Sequence, residues 1–378
     1  MINKRINTLM SKTDLIGLPL TELSTFVQNT LGAKPYRAKQ LFQWLYRRRV
    51  TDITLMTDLS KDFRQLLSEE AEISQLRPIQ KLISSDGTRK YLFQLEDGES
   101  IESVMIPGED RLTVCISSQV GCAMGCKYCL TGKMGFKRNL SSAEIVNQVL
   151  AVELDLTQDP PLDEAGQPLL PKEHGTVERY LSHVVMMGMG EPMMNLPSVL
   201  AAIHVLTDHN GYNLAPRRMT VSTVGLVPKV EEFIAANTGV RLAISLTAGS
   251  NELRNQLLPI NQKYPLEKLL PALKNYPTQN RKPITFEYVM LAGVNDRAED
   301  ARALIKQIHD LECKVNLIPL NESPEIEYRR PSDESVMEFQ RILWDARITA
   351  TVRESRGRDI LAACGQLKTQ TKKNSSCN

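Results

Sequence analysis

From Leu112 onward, short apolar runs alternate with amphipathic stretches. The runs are Leu112–Ile116, Val184–Met187, Met219–Ser222, Leu242–Leu246, Ile284–Met290 and Val315–Ile318. Each is short and rich in Val, Ile, Leu or Met, as suits a strand buried on both faces. Apolar residues recur at three- and four-residue spacing near Ala143–Leu154, Leu196–Leu206, Val227–Ala236, Leu266–Tyr276, Ala298–Ile308 and Glu334–Trp344, which predicts helices. A further strand, Ala350–Arg353, follows the last of them. Such alternation implies parallel strands joined by helical crossovers. About six such units are too few for a closed eight-unit barrel. The prediction is an α/β chain with an incomplete (β/α)6 barrel over residues 111–355, its chemistry at the C-terminal ends of the strands.

The N-terminal part has a different rhythm. Leu20–Leu31 carries helical spacing, and Arg37–Arg49 places Leu41, Trp44 and Leu45 on one face. These predict a helical accessory domain over residues 1–78. Its flank is basic, with Lys34, Arg37 and Lys39 upstream and Arg47-Arg48-Arg49 ending the second helix. Such a flank is either a solvated surface or a phosphate-contacting face for RNA. Residues 79–110 predict a connecting β-hairpin region, because Tyr91–Leu95 and Ser100–Ile106 flank the turn signal Asp97-Gly98, with Asp86-Gly87 upstream. Residues 155–178, with Pro160-Pro161, Pro168, Pro171 and several acids, predict a surface insertion on the face away from the chemistry. His174 and His183 beside it read as packing residues. Residues 356–378 form a C-terminal segment, expected to fray from Lys368 onward, with an incidental Cys377.

Composition narrows the class. The chain has 378 residues, 42% of them hydrophobic, enough for a real core. A formal net charge of +2 does not announce a nucleic-acid binder, so any such contact rests on local clusters. No apolar run approaches a membrane span, and Met1-Ile-Asn-Lys-Arg-Ile-Asn has no signal-peptide core. Seven cysteines, three of them crowded together, suit a reducing cytoplasm and metal-bound or reactive thiols.

The crowded three are Cys122, Cys126 and Cys129, spaced Cys-x3-Cys-x2-Cys in the loop after the first barrel strand. A structural zinc site is normally closed by four ligands, and an iron–sulfur cube usually takes four cysteines. Three thiolates leave one iron open to a substrate. After the second strand comes Gly188-Met-Gly-Glu-Pro192, where glycines allow close backbone approach and Glu191 can receive an ammonium group. Ser222, Ser245 and Asn321 also fall at the predicted upper rim. Glu102 shares a strand face with Val104 and Ile106, so a carboxylate stands on an apolar face. Cys115 ends the first strand near the cluster face, Cys364 lies in a Gly-containing segment after the last strand, and Cys313 starts the sixth strand as a structural residue.

With Tyr128 before its last cysteine, the CxxxCxΦC pattern resembles the signature of radical S-adenosylmethionine (SAM) enzymes. Ser117-Ser-Gln-Val-Gly-Cys, Gly188-Met-Gly-Glu-Pro, Asn321 after Val315-Asn-Leu-Ile-Pro, and Arg356-Gly through Ala362-Ala-Cys-Gly-Gln-Leu367 together resemble RlmN-type adenine-C2 RNA methyltransferases. The resemblance runs over nearly the whole chain and implies a radical-SAM partial barrel. It implies that Cys122, Cys126 and Cys129 hold a [4Fe–4S] cluster, and that Gly190, Glu191, Ser222, Ser245, Leu246, Thr247 and Asn321 contact SAM. It further implies that Cys364 carries the methyl group as S-methylcysteine, that Glu102 accepts a proton, and that Cys115 ends in a disulfide with Cys364. The implied substrates are a 23S rRNA adenine in the peptidyl-transferase centre and the tRNA adenine 3′ to the anticodon. The implied partners are these RNAs and an electron donor such as a flavodoxin with its reductase; the implied state is a cytoplasmic monomer. Thr247 departs from the histidine common in the family, and the tail beyond Cys364 is short. The competing readings are the related C8-methylating resistance enzymes, a radical-SAM enzyme acting on a peptide or small molecule, and a non-catalytic zinc RNA-binding module.

Overall fold

A computed structural model of the chain describes residues 12–162, 166–174, 177–278 and 283–369. In the N-terminal unit, β1 (Thr13–Asp14) pairs in parallel with β2 (Ala71–Glu72), and α1 (Leu20–Asn29), α2 (Tyr36–Tyr46) and α3 (Lys61–Glu70) lie between them. Leu23, Phe26 and Val27 of α1 and Leu41, Phe42 and Leu45 of α2 supply its buried side. The helix expected to end in the arginine triplet stops at Tyr46 instead. Arg49 adopts a φ of 53°, outside helical backbone. The triplet then fastens this unit to the rest: Arg47 Nη2 donates to the His209 carbonyl at 2.6 Å, and Arg49 Nη1 to the Glu178 carbonyl at 3.2 Å. Arg48 lies over the Trp44 ring at 3.8 Å.

The main sheet opens with β3 (Pro78–Ile83), β4 (Arg89–Gln94), β5 (Ser100–Gly108) and β6 (Arg111–Cys115), each antiparallel to the next. A short hairpin, β7 (Gln119–Cys122) and β8 (Gly135–Asn139), encloses α4 (Leu130–Met134). Next come α5 (Ser142–Gln158) and a surface hairpin, β9 (Lys172–His174) with β10 (Val177–Arg179). The remaining strands are β11 (Leu181–Met186), β12 (Met219–Thr223), β13 (Arg241–Ser245), β14 (Ile284–Met290), β15 (Cys313–Pro319) and β16 (Thr349–Val352). Their helices are α6 (Leu196–Thr207), α7 (Val227–Ala235), α8 (Asn251–Leu257), α9 (Leu266–Leu273), α10 (Ala298–Ile308) and α11 (Asp333–Asp345). The ten-stranded sheet runs β3-β4-β5-β6-β11-β12-β13-β14-β15-β16, and every pairing from β6 to β16 is parallel. This is the expected incomplete (β/α)6 barrel. The hairpin region is an extension of it rather than a separate linker, because β5 pairs along β6 and so covers the edge of the parallel sheet.

Two boundaries differ from the sequence reading. A capping box between Ser141 and Glu144 starts α5, and the helix runs to Gln158, so Asp155 belongs to it and not to the insertion. There Asp155 accepts from Lys81 Nζ, Arg89 Nη1 and the Tyr91 hydroxyl, which ties α5 to β3 and β4. The tail is not frayed at its start: Lys368 N–H donates to Glu102 Oε2 at 2.9 Å, and Thr369 is buried. Cys377 lies outside the described residues. His174 Nδ1 sits 3.0 Å from Arg218 Nη1, a packing role as expected.

Glu153 on α5 is fully buried and accepts from the Tyr180 and Leu181 N–H groups and the Tyr212 hydroxyl. Glu153→Ala strands those three donors away from water. It should destabilise the protein by about 3 kcal/mol in urea unfolding; a loss below about 1 kcal/mol would contradict this assignment.

Candidate active site

A cavity of about 920 Å³, open to solvent, lies at the C-terminal ends of the parallel strands. Cys122, Cys126 and Cys129 line one side, and Gly190, Glu191, Ser222, Ser245, Glu287, Asn321, Arg353 and Cys364 line the rest. A smaller adjoining cavity contains Cys115 and shares Met187, Ile318, Asn321, Arg353 and Cys364 with the first.

The cysteine loop is shaped by backbone pairing. β7 and β8 close its ends, with Cys122 opposite Gly135. Gly121 has a φ of +72°, and a Cβ there would overlap the Gly135 carbonyl oxygen, so only glycine fits. Lys127 N–H donates to the Leu257 carbonyl at 3.0 Å, pinning the loop to α8. On its other side, Leu130 N–H donates to the Gly365 carbonyl at 2.8 Å, and Thr131 Oγ1 to the Leu367 carbonyl at 2.7 Å. Asn321 Nδ2 donates to the Cys364 carbonyl at 3.3 Å. These bonds bring Cys364, distant in sequence, to the three-cysteine loop.

Burial pushes the Cys122 thiol up to about 12, with Glu191 and Cys129 adding to the effect. Cys126 is raised further by burial and by both neighbouring thiols, and Cys129 is raised mainly by burial. Crowding buried acids in this way is unfavourable unless something cationic joins them. Among the described residues, no three His, Cys, Asp or Glu side chains converge on a single-ion position. Three thiolates are the donor set of a cube that keeps one iron open, whereas a structural zinc is normally closed by four ligands. The fully buried Arg254 agrees with this donor set. It donates to the carbonyls of Val224, Ser245 and Leu246 and to Asn261 Oδ1, all neutral oxygens. Burial lowers its guanidinium to about 10, and the groups that oppose this are Tyr128 and Cys126. A buried cation with these neighbours favours anionic sulfur beside it.

Gly190 has a φ of +101°, and a Cβ there would lie 2.5 Å from Gln119 Cβ, so this turn too requires glycine. Glu191 is buried; it accepts from Met193 N–H at 3.0 Å and Val224 N–H at 2.9 Å, and burial raises its carboxyl. Leu246 and Thr247 are fully buried behind the cavity wall. Thr247 Oγ1 lies 3.2 Å from the Tyr128 hydroxyl, and its φ is 62°. Cys115 is buried beside Cys364; burial pushes it up to about 12, Cys364 adds to this and Arg353 opposes it. Neither cysteine is in a disulfide. Glu102 lines neither cavity. Lys90 Nζ sits 3.1 Å from its Oε1, and burial raises its carboxyl against that ion pair. Cys313 begins β15, partly buried, away from both cavities.

Sequence reasoning passed over Glu287, Arg353 and Arg254. A carboxylate inside the apolar run Ile284–Met290 was the available signal for Glu287. Nothing in the pattern around Arg254 marks it as buried.

Residues 13–73 match the ribosomal RNA large subunit methyltransferase N-terminal domain, and residues 171–305 match the radical SAM superfamily. The dual-specificity RNA methyltransferase RlmN of Pelobacter propionicus is 47% identical over 357 residues, covering 94% of this chain and 96% of that protein. The chain belongs to the RlmN family of radical SAM RNA methyltransferases. The RlmN of Geobacter sulfurreducens is also 47% identical, over 94% of this chain and 92% of its own. A radical SAM methyltransferase from Sphaerobacter thermophilus shares the fold with a TM-score of 0.83 and 41% identity, over 94% of this chain and 99% of that one. Membership of the radical SAM superfamily implies a [4Fe–4S] cluster and SAM, and the donor set fits both. Among the described residues, no helix is long and apolar enough to cross a membrane.

Arg254→Met removes the buried cation and the donors to three carbonyls at once. It should cost the cluster-free protein about 3–5 kcal/mol in urea unfolding and lower the iron retained after anaerobic reconstitution. Unchanged unfolding and full iron content would contradict the role given to Arg254.

Proposed function

We propose that this chain methylates C2 of an adenine in RNA, using one adenine in the peptidyl-transferase centre of 23S rRNA and the adenine 3′ to the anticodon of tRNA. The observation that carries this reading is Cys364, which lines both cavities and is bonded through its neighbours to the cysteine loop. Cys122, Cys126 and Cys129 are the ligands of the cluster in this reading. Gly190, Glu191, Ser222, Ser245, Leu246, Thr247 and Asn321 hold SAM in this reading, Leu246 and Thr247 acting through backbone or from behind the wall.

C2 lies between two ring nitrogens and is electron-poor, so it does not attack an electrophilic methyl group. The carbon therefore has to be delivered from the protein. When bound, the cluster and SAM supply an electrophilic methyl group and, by one-electron reduction, a hydrogen-abstracting radical. Cys364 Sγ, as the thiolate, takes the methyl group by displacement and releases S-adenosylhomocysteine. One hydrogen atom is then removed from that methyl group, and the carbon held on Cys364 bonds to C2. The adduct gives up one electron, to the cluster when that is bound, and its C2 proton; the resemblance assigns that proton to Glu102, which lines neither cavity. Cys115 Sγ attacks Cys364 Sγ and forms the disulfide. The S–C bond breaks, its electron pair stays on carbon, and that carbon takes a proton to become the product methyl group.

Arg353 lines both cavities and opposes the burial that raises the Cys115 thiol. Glu102 lies on β5 two residues from Val104, the partner of Cys115 in register, and so on the same face of that strand as Val104. The adenine reaches the cavity only when unstacked. The exposed Lys34 and Lys39 remain candidates for phosphate contact, whereas Arg47 and Arg49 are engaged within the protein. An electron donor such as a flavodoxin with its reductase completes the system, and the chain works as a cytoplasmic monomer.

Anaerobic reconstitution with SAM and RNA, followed by nucleoside mass spectrometry, tests the reaction. The expected product is 2-methyladenosine; 8-methyladenosine would move the chain to the resistance-type chemistry. A colourless protein that binds zinc and leaves RNA unmodified would favour the binding module. Cys364→Ala should keep SAM binding and lose methyl transfer. Cys115→Ala should accumulate RNA joined covalently to protein; free, normally methylated RNA from this variant would remove Cys115 from its role.

A further inference from the structure

Glu287 stands in the middle of apolar β14, is 4% exposed, and lines the main cavity. Its Oε1 accepts from Asn316 Nδ2 at 3.0 Å, and Asn316 Oδ1 in turn accepts from Thr351 Oγ1 at 2.7 Å. Strand register sets Ser245, Glu287, Asn316 and Thr351 side by side on β13, β14, β15 and β16. One polar row therefore crosses four strands and fixes the carboxylate in place. The other oxygen, Oε2, is buried and has no hydrogen-bond partner among the described residues. Nor does any ion pair within 4.0 Å among those residues supply one, although Arg353 is among the cations that stabilise its charge. Asn321 Oδ1, in the same cavity, is likewise buried without a donor. A buried acceptor left unmet is unfavourable, so the cavity is built for a ligand that brings donors to this wall.

The position narrows which donors. Glu191 follows β11, and Glu287 is on β14, three strand spacings or roughly 14 Å around the sheet. A ligand whose ammonium group is at Glu191 extends its nucleoside towards β14. Above Glu287 the wall turns apolar, with Val289, Ile318 and Leu320, which suits the flat face of a base. The polar row beneath is left for the sugar. We propose that Glu287 is a ligand-binding carboxylate whose free oxygen accepts a hydrogen bond from a ribose hydroxyl of SAM. This rests on the reading of the cavity as the SAM site.

The test is equilibrium dialysis of S-adenosylhomocysteine and its 2′-deoxy and 3′-deoxy forms against the anaerobically reconstituted protein, with Glu287→Ala and Glu287→Leu alongside. Wild-type protein should lose roughly 10- to 100-fold in affinity for one deoxy form. Each variant should bind the parent nucleoside more weakly by a similar factor and show no deoxy penalty. A variant that keeps the full penalty, or binds the parent like wild type, overturns the proposal. If neither variant folds, the wild-type series decides, since equal binding of all three nucleosides also overturns it. Wild-type protein that binds no S-adenosylhomocysteine would remove the SAM reading itself, whereas normal binding with unaffected variants removes only the role of Glu287.

Discussion

The placement of one thiol depends on how the chain after the last strand is held. Residues 353–369 contain no helix or strand, yet they are fastened from three directions. The cysteine loop binds the Gly365 and Leu367 carbonyls through Leu130 N–H and Thr131 Oγ1. The chain after β15 holds the segment through Asn321 on the Cys364 carbonyl and through Gln366 Nε2 on the Glu322 carbonyl. β5 holds it through Glu102 and Lys368 N–H. Each such bond contributes only about 1 kcal/mol, but they fall in succession on Cys364 and the residues that follow it, through Lys368. The segment thus has a fixed path without regular structure, and the irregular backbone is what lets a single side chain reach two cavities.

The second constraint is charge in a space with little water. The main cavity gathers three thiols, Glu191 and Glu287, all disfavoured as anions by burial. Two arginines answer them. Arg254 sits behind Cys126 and Tyr128, and Arg353 faces Cys364, Glu287 and Cys115. Neither forms a carboxylate ion pair within 4.0 Å among the described residues. Both therefore keep their charge available to sulfur and oppose, without cancelling, the burial that raises Cys126 and Cys115.

How legible this was in the sequence follows from what each element buries. The parallel strands and their helices were readable because strands covered on both faces become unbroken apolar runs, as at Ile284–Met290. The β7 and β8 hairpin was not, because Gln119–Cys122 and Gly135–Asn139 have no apolar pattern and are joined by backbone pairing and one bond from Gln119 Nε2 to Asn139 Oδ1. The three cysteines were found by spacing and Cys364 by resemblance. Glu287 was missed because one acid inside an apolar run reads as core, and its significance lies in an unmatched oxygen that only coordinates reveal. Leu246 and Thr247 lie behind the wall for a related reason: linear proximity to Ser245 does not say which side of the strand end faces the cavity. The arginine triplet read either as a solvated flank or as a phosphate-contacting face, but composition cannot distinguish these from an arginine bonded to a carbonyl across a domain contact.

The two adjoining cavities also explain why the cysteines divide as they do. Met187, Ile318, Asn321, Arg353 and Cys364 form the wall between them. A thiol on that wall borders both cavities at once, with the backbone carbonyl of its residue held by Asn321. Cys115 is placed differently. It ends β6, paired to Val104 on one side and Val185 on the other, so its position is set by two neighbouring strands. Cys115 is set in the second cavity by two strands, while Cys364 borders both cavities. In the proposed reaction, the wall that carries Cys364 therefore meets carbon loading on the three-cysteine side and release on the Cys115 side.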